Sequence, residues 1–191
     1  MTEYLSCAAT AKLIRAQLKA KFPGIKFGVR SSVYAGGASI DVVWTDGPTG
    51  KMVDAVVKPF EGGGFDGMID MAYSVYAYLL PDGSAAFAQT SGTEGSAGTV
   101  PADKAWMPVA GAKRVHFGAN YVFTTRKTSR AMVARALAAF QAKWGEQAAG
   151  MKIAESFDGS AYVTDVPREI EVFWRDALSK RVAPTPAMIA A

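Results

Sequence analysis

Residues 6–60 change hydrophobic period twice, and few folds accommodate that. From Ser6 to Lys21, Ile14, Leu18 and Phe22 recur every four positions, the spacing of one helix face. Ser6 is a suitable N-cap and "FPG" at 22–24 is a stop signal. The period then drops to two: in "IKFGVRS", Ile25, Phe27 and Val29 alternate with Lys26, Gly28 and Arg30. "SVYAGGASIDVVWT" supplies a Gly-Gly turn and a second strand, in which Ile40, Val42 and Trp44 alternate with Asp41, Val43 and Thr45. "DGPT" at 46–49 joins a turn to a helix start, with Pro48 fixing its backbone and Thr49 able to cap. Met52, Val53, Val56, Val57 and Phe60 return to helical spacing. A helix–strand–strand–helix unit is the expectation.

The rest of the chain continues it as a mainly antiparallel sheet covered by helices, an α+β fold. "FEGGGFDGMIDMAY" at 60–73 stops the second helix with glycines and leads into a strand. "MIDMAYSVYAYLL" and "SAAFAQT" flank "PDG" as a β-hairpin, and "SGTEGSAGTVPADKAW" has the composition of a mobile loop. "AKRVHFGANYVFTTR" reads as one or two strands. A helix follows over Thr128–Trp144 with Val133, Leu137, Phe140 and Trp144 as its core stripe and Gly145 as its stop. "SAYVTDV" is a final strand, and "PREIEVFWRDALSKR" a final helix with Ile170, Phe173, Trp174, Ala177 and Leu178 on one face. "VAPTPAMIAA" is expected to be disordered. Residues 1–145 are expected to form one domain, with 146–191 an extension packed on it.

Half of the 191 residues are hydrophobic, enough for a substantial core. No apolar run reaches membrane-spanning length and the N-terminus lacks the pattern of a secretory signal, so a cytoplasmic protein with no membrane partner is expected. With one cysteine, Cys7, disulfides within the chain and cysteine-ligated zinc are excluded by counting. Cys7 reads as a packing residue, and His116 is the single histidine, so a histidine-rich metal site is excluded too. The glycine cluster does not read as a phosphate loop, because Gly67 is followed by Met68 and Ile69 where lysine and a hydroxyl residue are needed. No cofactor, metal or catalytic residue is expected.

Charge order says more than the net charge of +4. Residues 12–30 carry Lys12, Arg15, Lys19, Lys21, Lys26 and Arg30 without an acid, and 113–143 carry Lys113, Arg114, Arg126, Lys127, Arg130, Arg135 and Lys143 without one. Residues 41–103 hold nine acids against Lys51 and Lys58. Such segregation creates one field for a polyanion and another for a basic partner. The expected nucleic-acid or acidic-partner contacts are Lys12, Arg15, Lys19, Lys26, Arg30, Arg114, Arg126, Lys127 and Arg130. "TTRKTSR" places Arg126, Lys127 and Arg130 around a helix start, where free N–H groups favour an anion. Arg114 stands beside His116 on an outward strand face. Tyr34, Tyr73, Tyr76, Tyr78 and Tyr121 offer stacking surfaces for single strands. Asp41, Asp46, Glu61, Asp66 and Asp70 are the expected contacts for a basic partner.

Three segments, "AKLIRAQLKAKFPGIKFGVRSSVYAGGASIDVVWTDGPT", "FEGGGFDGMIDMAY" and "NYVFTTRKTSRAMVARALAAFQAKWG", together resemble the large polyvalent protein-associated domain of type 29 over roughly residues 8–145. "WTDGPT" with "FEG...FDGMID" is the most specific part. The resemblance implies a protein of plasmids, phages or conjugative elements that travels with DNA or protects it from host defences; it brings no catalytic residue with it. The expected function is a non-enzymatic accessory protein that binds nucleic acid or a host nucleoprotein complex, as a defence antagonist of the anti-restriction or anti-CRISPR kind. A chain basic overall is unlike a DNA mimic. The alternatives are a metal-dependent nuclease using Asp41, Asp66 or Asp70, and a phage or plasmid assembly protein.

Overall fold

The computed structural model describes residues 2–87, 89–91, 99–101 and 109–180. The chain divides into two compact units: residues 1–22, 27–42 and 53–124 form the first, and residues 23–26, 43–52 and 125–191 the second. Residues 125–145 thus fall in the same unit as the residues after 145.

The chain starts with a strand that its sequence does not announce, β1 (Glu3–Ser6), and Ser6 then caps helix α1 (Cys7–Lys21) by accepting the Ala9 N–H at 3.3 Å. Such a cap contributes about 1 kcal/mol. Of the four-residue stripe, Ile14 and Leu18 are fully covered, with Ala11 beside them, and Phe22 is half-buried at the helix end, while Lys12, Arg15 and Lys19 are exposed. Strands β2 (Phe27–Tyr34) and β3 (Gly37–Thr45) form as the period of two requires, and Ile40, Val42 and Trp44 are the inward positions of β3. Helix α2 (Gly50–Val57) tightens into a 3₁₀ turn at Lys58–Phe60. Apart from β1, these elements are those expected from the sequence.

The glycine-rich stretch is more structured than a stop and a turn. Strand β4 (Gly63–Asp66) pairs antiparallel with β5 (Met71–Ser74), so 63–74 is a hairpin of its own. The expected "PDG" hairpin is present but shorter: β6 (Ala77–Leu79) pairs with β7 (Ala85–Phe87). Strands β8 (Gln89–Ser91) and β9 (Thr99–Pro101) pair antiparallel, and most of the loop expected around them lies outside the described residues. "AKRVHFGANYVFTTR" is two strands, β10 (Lys113–Gly118) and β11 (Tyr121–Lys127).

The first unit holds a four-stranded sheet in the order β1-β10-β6-β7. Its β1–β10 pair is parallel and its other pairs antiparallel, which makes the sheet mixed. A second sheet has the order β11-β3-β2. Phe60 and Phe117, both buried, meet in the first unit with ring centroids 5.0 Å apart.

The second unit is built on helix α3 (Arg130–Trp144), a hairpin of β12 (Lys152–Glu155) and β13 (Ala161–Thr164), and helix α4 (Arg168–Ser179). β12 was not anticipated. Val133, Leu137 and Phe140 of α3 bury against Met151, Ala161, Ile170 and Trp174 as one core. The tail expected to be disordered lies outside the described residues.

Candidate nucleic-acid interface

Lys12, Arg15 and Lys19 lie exposed along α1, as their spacing requires. Arg15 Nη2 donates to the Val29 carbonyl at 2.6 Å, which ties the stripe to β2, the strand that carries the exposed Arg30. Lys26 is exposed in the second unit.

The cations at the start of α3 have partners within the protein. Arg126 is half-buried and donates to the carbonyls of Asp46 at 3.3 Å and Gly47 at 2.9 Å. Burial pulls its pKa down and the Asp46 charge opposes that. Lys127 pairs with Asp158 at 3.2 Å and Arg130 with Glu155 at 3.3 Å. The Ser160 N–H and then Lys127 hold the Asp158 carboxyl down at about 2. The helix start does take an anion, and the chain supplies it: Asp46 accepts the Ser129 N–H at 2.8 Å and the Ser129 hydroxyl at 2.6 Å. Ser129 Oγ in turn accepts the Met132 N–H at 3.1 Å, so a carboxylate stands behind the N-cap.

Asp46 holds a left-handed φ of 57°, which aspartate tolerates better than alanine. Asp46→Ala therefore loses two charge-assisted bonds and adds strain, and we expect denaturant midpoints to report a loss of about 2–3 kcal/mol. Asp46→Asn, which keeps an acceptor, should lose less. An Asp46→Ala protein within about 0.5 kcal/mol of wild type would refute the capping role.

The other acids are dispersed. Glu61 Oε1 accepts from Lys58 at 2.7 Å and from the Val122 N–H at 2.8 Å, locking the end of the 3₁₀ turn to β11. Asp66 is buried and accepts the Met68 N–H at 2.9 Å, closing the β4–β5 turn, and Asp70 takes a left-handed φ of 52° in that turn. Asp41 is half-buried on β3. Among the described residues no three His, Cys, Asp or Glu groups gather as metal ligands.

What the fold does gather is a row of rings on the four-stranded sheet. Parallel pairing sets Tyr4 of β1 opposite His116 of β10, and their ring centroids lie 5.8 Å apart. Tyr76 flanks His116 on its other side at 5.6 Å, and the Arg114 guanidinium lies 5.0 Å from the Tyr76 ring centroid. His116 Nδ1 is 2.9 Å from the Val75 carbonyl, which orients the imidazole. Arg114 Nε is buried with no hydrogen-bond partner among the described residues. Tyr4 is 66% exposed, so the row opens to solvent at that end. His116, Arg114 and Tyr76 were candidates from the sequence, whereas Tyr4 was not, because a four-residue strand has too few positions to show its period.

Of the other candidate tyrosines, Tyr34 is exposed and Tyr121 borders on exposure beside Phe123, with centroids 6.1 Å apart. Tyr78 is buried, and Tyr73 fills the space above Gly64. These two serve packing.

No described helix is long and apolar enough to cross a membrane. No curated protein matches the chain, and no solved structure does. A family model does match, over residues 5–129, so the likeness read over roughly 8–145 ends just before α3. Since that match takes in well over half of the chain, including α1, the glycine hairpin and the Tyr76, Arg114 and His116 members of the ring row, the protein belongs to the family described as large polyvalent protein associated domain 29.

Proposed function

We propose that this protein is a non-enzymatic accessory protein of a mobile genetic element that binds single-stranded nucleic acid. The observation that carries this reading is the row Tyr4–His116–Tyr76–Arg114, in which three neighbouring rings lead from an exposed end to a cation. Bases stack on such rings irrespective of sequence, and cations track the phosphates. The exposed α1 lysines and Arg15 of the same unit supply further positive charge. In a mobile-element setting, a protein with these properties coats or shields entering strands from host defences.

Fluorescence anisotropy with labelled single-stranded DNA, duplex DNA and RNA over a salt series tests it. Single strands should bind best, with a salt slope of about 0.7 per phosphate contact. Tyr4→Ala should weaken binding by about 1–3 kcal/mol at an unchanged slope, the cost of losing one stacked base. Lys12→Ala with Lys19→Ala should flatten the slope instead. No binding at low salt would end the reading.

A second reading, capture of a host nucleoprotein complex by protein contact, is favoured by the β4–β5 hairpin. It exposes Phe65, Met68, Ile69 and Met71, each more than half accessible, within seven residues. If this reading holds, Met68→Asp with Ile69→Asp abolishes co-purification of a host complex and leaves anisotropy unchanged.

A further inference from the structure

A cleft of about 390 Å³ opens in the first unit where α1 begins. That volume is within the range of small-ligand sites. Two exposed tyrosines line it, Tyr4 and Tyr34, along with the apolar Val33 and Ala38.

Two glycines let the walls of the cleft pack closely on the backbone. A Cβ on Gly118 would fall 2.5 Å from the Tyr4 hydroxyl and 2.8 Å from the Leu5 carbonyl oxygen. One on Gly37 would fall 3.0 Å from Asn120 Oδ1 and 3.1 Å from the Tyr34 ring. Neither glycine has a positive φ, so it is space and not backbone conformation that a side chain there would violate.

The polar groups of the cleft are neutral and have capacity left. Asn120 Oδ1 accepts the Ala38 N–H at 2.8 Å, which leaves its amide hydrogens to donate. Ser6 Oγ accepts the Ala9 N–H, which leaves its hydroxyl hydrogen. The Cys7 thiol is directed to the Ser39 carbonyl at 3.6 Å, and burial pushes its pKa up, so it is an uncharged wall. Among the described residues no charged side chain lines the cleft.

We propose that this cleft binds a neutral, planar heteroaromatic ring, a nucleobase, against Tyr4 and Tyr34, with the Asn120 amide and the Ser6 hydroxyl donating to its carbonyl or ring-nitrogen acceptors. Because Tyr4 belongs both to the cleft and to the ring row, a base held here is one of those a bound strand presents. The proposal rests on the nucleic-acid reading for the source of the base and on the cleft itself for the site.

The test compares a single-stranded 12-mer, the same strand with abasic residues, and free adenosine and uridine observed by saturation-transfer NMR. The intact strand should bind about tenfold or more tighter than the abasic one. Tyr34→Ala should erase that difference while leaving the salt slope unchanged, and Tyr34→Phe should restore it. Tyr34 is 51% exposed, so its removal leaves the core intact, and circular dichroism checks this. Gly37→Val should abolish the nucleoside signal by pushing Tyr34 and Asn120 out of their places in the cleft wall.

Equal binding of intact and abasic strands, with no nucleoside signal, would overturn the cleft and leave strand binding standing. A nucleoside signal lost in Gly37→Val, with no strand bound, would support the cleft and end the strand reading. Silence in both experiments would end both.

Discussion

Gly62→Ala is expected to cost the first unit about 3 kcal/mol or more, at the upper end of what overpacking a close contact does. A Cβ at this position would overlap the Phe117 carbonyl oxygen and lie 2.9 Å from the carbonyl carbon. Both are backbone atoms of a central strand and have no rotamer with which to yield. Gly62 is also bonded on both sides: its N–H donates to the Ala119 carbonyl at 2.7 Å and its carbonyl accepts the Val75 N–H at 2.8 Å. Any shift that relieves the clash therefore breaks a buried backbone bond. Gly67, five residues on in the same cluster, has nothing within 4 Å of its would-be Cβ. Gly67→Ala should change stability by less than about 0.5 kcal/mol. Urea melts of the two variants side by side decide the matter, and similar midpoints would show that the glycines serve the turn and not the close approach.

Phe140→Ala should be as damaging to the second unit, costing about 3–5 kcal/mol. The Phe140 side chain is buried, stacks on Trp144 at 5.5 Å and meets Trp174 edge-on at 5.3 Å. It thus joins α3 to α4, and its loss opens a cavity between two indoles that cannot close on it without moving a helix. Aromatic pairs of this kind add about 0.5–1.5 kcal/mol each beyond the area they bury. Tryptophan emission reports the change directly and gives the unfolding midpoint. Phe157, fully exposed at the β12–β13 turn, is the matched control, and Phe157→Ala should leave the midpoint in place. Equal losses from the two variants would mean that this core does not hold the unit together.

The candidate interface was partly readable before the fold. The α1 stripe of Lys12, Arg15 and Lys19 follows from spacing alone, because a helix places i, i+3 and i+7 on one side whatever surrounds it. The cations around the start of α3 could not be judged that way. Their partners are Asp46, Glu155 and Asp158, distant in sequence, and only folding brings a turn carboxylate onto the Ser129 N-cap. Tyr4 was missed for a related reason: its neighbour His116 is 112 residues away and reached through a parallel pair, which leaves no local signature.

Sequence by itself determined the elements whose stabilising contacts are local. Ser6 and "FPG" bound α1, the four-residue stripes select the buried faces of α1 and α3, and period two places Ile40, Val42 and Trp44 inward. Only the tertiary structure decided what depends on distant chain meeting: the parallel β1–β10 pair, the backbone approach that forbids a side chain at Gly62, the Asp46 cap of α3 and the cleft whose walls close on Gly37 and Gly118. Capping and periodicity act within one or two turns of chain, whereas pairing and close approach are settled by whichever segments the whole core brings together.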